Sequence, residues 1–353
     1  MPKNKKQHFV PKFYLRNFSL NREGKLIGVY NFTQQKFIAK SSLRNQAYKD
    51  YFYGKDGSAE KALEYSEGIV ARIIKDILGI HLAPSKGTKE HQMLLLFTVL
   101  QVARTEYAEE SANEGIDKFL KQSFLRSYEE KDSIRFRVAN VSHASIRNAS
   151  LMSPITFDLG CKLLLNKAKM KFITSDNPAV LYNQFLEFKR PFFNNTGFVT
   201  KGLEIFLPIS SELCLVFYDE DVYKIGDRKA YVIPIDDMND IESINAIQFV
   251  NCNQNLYFDE SFDGHYFERF SNKFLRFRRT SKVEVEEYSH VTDPNRVLVQ
   301  AQPVEVRCGL SLSFIKVLKK AKKFQIDYQK ALIPRSDKLV EMAKTLEEFS
   351  KIH

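Results

Sequence analysis

The chain has 353 residues, 44% of them hydrophobic and 13% aromatic, enough to bury a large core, which excludes disorder for most of its length and favours one elaborated domain over residues 1–353. Fifty-three basic against 43 acidic side chains leave a net charge of +10, which favours a polyanionic partner, although high charge also serves solubility. Cys161, Cys214, Cys252 and Cys308 form no CxxC pair, so a zinc ribbon is excluded and the thiols read as reduced, buried side chains.

In chain order, residues 8–55 read as strands and turns. The stretch QHFVPKFYLRNFS, residues 7–19, opens them as a first strand and turn, and a hairpin follows around Thr33-Gln34. From Ser58 the spacing becomes helical, with Gly79 as the stop. Further helices are predicted over about 88–110, 114–128 and 133–152, making a helical lobe of residues 58–152. Strand spacing returns in KLLLNK, KFITSDNPAVLYN, EIFLPIS and ELCLVFY, with a helix over 236–251 and a strand in NLYFDES, so residues 153–290 form the main sheet region. KVEVEEYSHV alternates like an edge strand, PNRVLVQAQPVEV is extended, and residues 310–353 are predicted to supply two C-terminal helices from SLSFIKVLKKAKKF and SDKLVEMAKTLEEFSKI. The expected class is α+β: a mixed, mainly antiparallel sheet core with an inserted helical lobe. The longest apolar run, residues 93–103, is too short to span a bilayer, and the basic N-terminus is followed by no apolar signal segment, so the expectation is a cytoplasmic protein with no membrane partner.

Glycine-rich phosphate loops, HExxH, GxSxG and EF-hand patterns are absent, and no metal site or cofactor can be named. Four residues stand out instead. Arg104 continues the apolar stripe of Met93, Phe97 and Leu100, so its charge must be met by a carboxylate of the chain or by an anion from a ligand. Glu67 lies on the flank of a buried helix face and is the candidate internal partner. Asp176 ends an apolar strand within Thr174-Ser175-Asp176-Asn177-Pro178, where an Asx turn or a functional carboxylate would both fit. His8 sits in the dense opening segment as a structural edge or a general base.

Together His8, Arg104, Asp176 and Glu67 would supply base, phosphate clamp and orienting carboxylates for phosphodiester cleavage, with Tyr14, Arg16, Asn17, Ser175 and Asn177 as binding residues. FLRFRRTSK adds Arg276, Arg278 and Arg279 interleaved with Phe274 and Phe277, a pattern that suits RNA or single strands. KVLKKAKK, residues 316–323, reads as a solvated basic face. A nucleic-acid-acting hydrolase is thus the leading expectation. A non-catalytic module that binds a polyanion competes with it, and an enzyme on a small anionic metabolite is a third reading. Oligomeric state is not readable.

The run QHFVPKFYLRNFS, followed by QVARTEYAEE, FITSDNPAV and EIFLPISSELCLVF, resembles the bacterial family listed as domain of unknown function 4238, over roughly residues 7–280. The chain departs from the family pattern at Glu106, where the family has proline after Arg-Thr. The resemblance implies a bacterial, cytosolic protein and brings no established activity. By analogy with standalone bacterial effectors of defence or toxin type it favours a nuclease.

Overall fold

The structure, a computed structural model, describes residues 5–55, 57–190, 193–289, 297–328, 330 and 332–352. Its N-terminal part begins with a short strand β1 (Lys6–His8), followed by a helical turn α1 (Lys12–Leu15), the hairpin β2 (Leu26–Asn31) and β3 (Lys36–Ser42), and β4 (Tyr48–Asp50). Among the described residues β1 pairs with β4 alone, His8 opposite Tyr48. The strand expected in QHFVPKFYLRNFS therefore ends at His8. Pro11 has no N–H for a ladder and its φ of −62° suits a helix start, so the chain coils into α1, burying Tyr14, Leu15 and Phe18.

The helical lobe contains α2 (Ser58–Ile80), α3 (Lys89–Ala103), α4 (Glu106–Phe124) and α5 (Val141–Met152). Leu63, Val70, Ile74 and Ile77 recur on one face of α2 and are buried there. The single helix expected over 88–110 is two helices. Arg104 leaves the helical conformation, and Thr105 caps the new helix by accepting the Ala108 N–H on its hydroxyl. Glu106 is then the first residue of α4, a position where proline is also well tolerated. The fourth helix starts later than expected. Residues 134–139 are held extended against α4, where the Phe136 and Val138 N–H groups donate to Asp117 and Asn113, and Asn140 turns the chain at φ 58°.

Two sheets carry the remainder, and the fold is α+β. After β5 (Gly160–Asn166), β6 (Thr174–Ser175) and β7 (Val180–Tyr182) come β8 (Glu204–Pro208), β9 (Leu213–Tyr218), β10 (Tyr223–Ile225) and β11 (Val232–Ile235). α6 (Met238–Asn251), β12 (Asn255–Phe258) and α7 (Gly264–Phe274) follow. A five-stranded sheet runs β11-β5-β9-β8-β7, antiparallel except for β11 with β5, and a four-stranded antiparallel sheet runs β3-β2-β12-β6. The N-terminal hairpin thus belongs to the second sheet, which reaches beyond residues 153–290. Gly28 faces Phe258 across it so closely that a Cβ would lie 2.2 Å from the ring. Alternate residues of the central strands enter two cores. Leu163, Leu215 and Phe217 join the helical lobe, while Leu164, Cys214 and Val216 join α6 and α7, so this sheet is covered on both faces.

β13 (Val283–Ser289) and β14 (Val297–Pro303) form a separate hairpin on α4. Of the two expected C-terminal helices, the first is corrected. Residues 311–324 give β15 (Ile315–Val317), which pairs with β10, and a single turn α8 (Lys319–Lys322). β-branched Ile315 and Val317 flank an edge strand with open hydrogen-bonding groups, and that partner overrides helical spacing. α9 (Asp337–Ile352) is the expected last helix, lying on α5.

Candidate functional site

The chain segments expected to carry chemistry are neighbours, but their side chains point to different tasks. Arg104 is 1% exposed; its Nη2 lies 2.7 Å from Glu67 Oε1, and its Nε donates to the Phe9 carbonyl at 3.1 Å. The expected ion pair with Glu67 is thus present. Burial opposes the Arg104 charge, and Tyr53 and Glu67 more than offset it, so its pKa is raised. Gln101 donates to the same Phe9 carbonyl, so the end of α3 is tied to the residue after His8. His8 itself turns away. Its Nε2 contacts the Arg44 carbonyl at 3.1 Å, its ring lies against Tyr48, and burial lowers its pKa.

Asp176 lies at the point where the chain leaves the four-stranded sheet at β6 and enters the five-stranded sheet at β7. Its carboxylate is 3% exposed and accepts the backbone N–H groups of Asn253, Gln254 and Asn255 at 2.7, 2.8 and 2.9 Å, so it orders the turn from α6 to β12. Burial pushes its pKa up to about 6 against the pull of those three donors. Each member of the constellation expected for phosphodiester cleavage thus meets backbone or an internal partner.

The expected binding residues divide in the same way. Tyr14 is fully buried, sharing a 2.8 Å hydrogen bond with Thr174 Oγ1 and donating to the Pro208 carbonyl. Ser175 Oγ bonds Gln248 at 3.0 Å. Arg16 is exposed, with its stem over Gly24, and Asn17 Nδ2 is buried without a partner among the described residues. Arg276 is exposed beside the Phe277 ring. Arg278 faces inward: Nη1 donates to the Phe249 and Cys252 carbonyls at 2.7 and 2.6 Å, and its guanidinium lies over Phe32, which makes it the cation at the C-terminal end of α6.

Asn177 and Arg279 do meet at one open cleft of about 370 Å³. Asn177 and Asn251 form its polar floor. Asn251 Nδ2 donates to the Asn177 carbonyl at 2.6 Å, Asn177 Nδ2 donates to the Asn251 carbonyl at 3.2 Å, and Thr105 Oγ1 donates to Asn177 Oδ1 at 3.3 Å. The Arg-Thr and Ser-Asp-Asn-Pro segments therefore touch through their second and third residues, Thr105 and Asn177. Tyr107 and Ser111 of α4 form one side, and Asn194, Thr196 and Phe198 another. The wall between them is Arg279 with residues 303–306. Arg279 Nη1 donates to the Val304 carbonyl at 2.9 Å and Nη2 to the carbonyl and Oδ1 of Asn251 at 3.3 Å each. Among the described residues no carboxylate lies within ion-pairing distance of Arg279, and burial lowers its pKa. Glu305, also on this wall, is already met by Arg307 at 2.9 Å and by the Thr196 hydroxyl at 2.8 Å.

Sequence reasoning missed Tyr107, Asn251 and Glu305. Tyr107 lies inside the RTEY segment and carried a signal through its neighbours; Asn251 and Glu305 carried none, since an amide at a helix end and a glutamate in an extended run are ordinary surface residues. Among the described residues no three His, Cys, Asp or Glu side chains are grouped as metal ligands, and no helix is long and apolar enough to cross a membrane. No curated protein and no solved structure matches the chain. The family model described as "Protein of unknown function (DUF4238)" matches residues 6–262, which include Asn177 and Asn251 of the cleft floor, and the chain belongs to that family.

Proposed function

We propose that the chain is a binding module that recognises an anion in the cleft between α4, the Ser175–Pro178 turn and residues 303–306, with Arg279 as the recognising cation. The observation that carries this reading is a guanidinium on the wall of an open cleft, held in place by carbonyl and amide oxygens and met by no carboxylate among the described residues. Such a group is fixed in orientation while its charge remains to be balanced, and a bound anion balances it. A nucleic-acid hydrolase would need His8, Arg104 and Asp176 around one phosphate. Their engagement with Arg44, Glu67 and residues 253–255 favours binding over bond cleavage. The net charge of +10 favours anions attached to nucleic acid among the carriers, and the free thiols fit a reducing bacterial cytosol.

The test is a thermal-shift and titration series with phosphate, sulfate, small carboxylates and a single-stranded oligonucleotide at low and raised salt. The expected result is stabilisation by at least one anion that Arg279→Met abolishes and Arg276→Ala leaves within about twofold, as an exposed charge should. Cleavage of RNA or DNA that disappears in His8→Ala and in Asp176→Ala would overturn the reading in favour of a nuclease.

A further inference from the structure

One hydroxyl beside the cleft is left over by the fold. Tyr107 Oη is buried and makes no hydrogen bond among the described residues, and its residue lines both the cleft and an adjoining smaller pocket that holds Glu114, Arg278 and Lys282. The Arg279 guanidinium carbon stands 4.4 Å above the Tyr107 ring centre, and Lys282 Nζ stands 5.5 Å from it. Burial raises the pKa of the phenol, which keeps it a neutral donor. A buried hydroxyl with no partner is destabilising, and here it lies beside the guanidinium that has no counter-charge.

The relative placement of the two donors selects among anions. Because Cζ of Arg279 stands over the face of the ring, the phenol oxygen, which lies in the ring plane, is set off from the guanidinium by the stacking separation. A planar carboxylate held by the guanidinium has both oxygens near that group's own plane. A tetrahedral phosphoryl group directs oxygens out of it as well. The apolar part of the lining, including Val102, Leu181, Phe198 and Val306, suits a body attached to the anion, and about 370 Å³ falls in the range of small-molecule sites. Resting on the anion reading above, we infer that the cleft takes a phosphomonoester carried on an apolar or planar body, with one oxygen on Arg279 and a second accepting from Tyr107 Oη.

A nucleoside 5′-monophosphate and the 5′-phosphorylated end of a single strand both present this chemistry. The experiment titrates the full chain by calorimetry with a nucleoside 5′-monophosphate, its parent nucleoside, benzoate, and a short single-stranded oligonucleotide with and without its 5′-phosphate. The monophosphate should bind at least tenfold more tightly than nucleoside or benzoate. Tyr107→Phe should weaken it roughly tenfold, the loss expected for a hydrogen bond to a charged group, while the free variant melts no lower than the wild type because an unpartnered hydroxyl has been removed. Tighter binding of the phosphorylated strand than of the monophosphate assigns the group to a strand end, and the reverse assigns it to a free nucleotide. The inference is overturned if benzoate matches the monophosphate, if the strand binds equally well without its 5′-phosphate, if Tyr107→Phe binds like the wild type, or if the free variant is destabilised, which would mean that the hydroxyl already has a partner. Failure of the wild type to bind any of these anions, with or without Arg279→Met, would instead defeat the anion reading itself.

Discussion

A carboxylate that ends a strand beside asparagine and proline can serve a ligand or a turn, and for Asp176 the three N–H donors of residues 253–255 decide for the turn. Asp176→Ala would leave three half-buried N–H groups without their acceptor, so urea unfolding should show a loss of about 2–3 kcal/mol. Anion binding through Arg279 should persist in whatever fraction remains folded. Loss of binding with unchanged stability would instead place Asp176 in the site. The pairing of Arg104 with Glu67 was legible because an arginine on an apolar stripe has to meet a negative charge, and few carboxylates lie on the flank of a neighbouring helix. The role of Asp176 was not, since its partners are backbone groups almost eighty residues away. Arg278 and Arg279 were only partly legible for a related reason. Interleaving with phenylalanine looks like a nucleic-acid surface, whereas both guanidinium groups turn inward to main-chain oxygens around the end of α6, which carry no signature in sequence.

At the level of elements, α4 is the organising helix of the cleft, since it presents Tyr107 inward and a polar stripe to the β13–β14 hairpin. Glu114, Lys118 and Gln122 recur every four residues on that stripe. Glu114 Oε1 accepts from the Ser281 hydroxyl and from the Lys282 and Val283 N–H groups at 3.1 to 3.3 Å, Lys118 donates to the Val283 carbonyl at 2.7 Å, and Gln122 contacts Glu287. Val283 packs against Gly115, and the interface carries these polar contacts and is partly exposed. Hydrogen bonds and ion pairs of that kind contribute about 0.5–1 kcal/mol each, far less than the two-sided apolar burial of β5 and β9. Hydrogen exchange should therefore show β13 and β14 opening as a local unit at least 100-fold faster than β5 and β9; equal protection would show that the hairpin opens only with the whole fold. Alternation revealed both hairpin strands in the sequence but not their pairing. Periodicity likewise ran α3 into α4, because the break at Arg104-Thr105 comes from a threonine cap and a tertiary arginine contact. It also made residues 311–324 a helix, because the free edge of β10 is a tertiary feature.

Across the molecule, two buried acids contribute strongly to the response to pH. Glu204 is fully buried and accepts from the Gln184 N–H and side-chain amide at 3.1 and 2.8 Å, yet burial raises its pKa to about 7, while Asp176 is raised to about 6. For an acid whose folded pKa lies above its unfolded value, the folded state holds the proton more tightly. Its stabilising contribution is complete below the unfolded pKa and is lost as pH rises to the folded one. The contribution of these acids should consequently decline between about pH 4.5 and 7, by on the order of 3 kcal/mol from Glu204, while His8 and His91, whose pKa burial lowers, act in the opposite sense; Glu204→Gln should make the melting-temperature profile fall less over that interval. A profile that still falls as steeply in the variant would assign the slope to other groups. The α+β class was legible at this scale from the alternation of strand and helix spacing, but the contacts that close the molecule were not. Arg335 joins Asp158 at 2.8 and 2.9 Å and donates to the Phe198 carbonyl at 2.7 Å, steadying from behind the segment that supplies one side of the cleft. The family-matched segment ends at residue 262, whereas Arg279 and residues 303–306 lie beyond it. On the anion reading, the cation and the 303–306 wall thus lie in a different stretch of the gene from Tyr107 and from the floor of Asn177 and Asn251, so exchanging the later stretch should change the charged wall of the cleft while the phenol and the floor stay as they are.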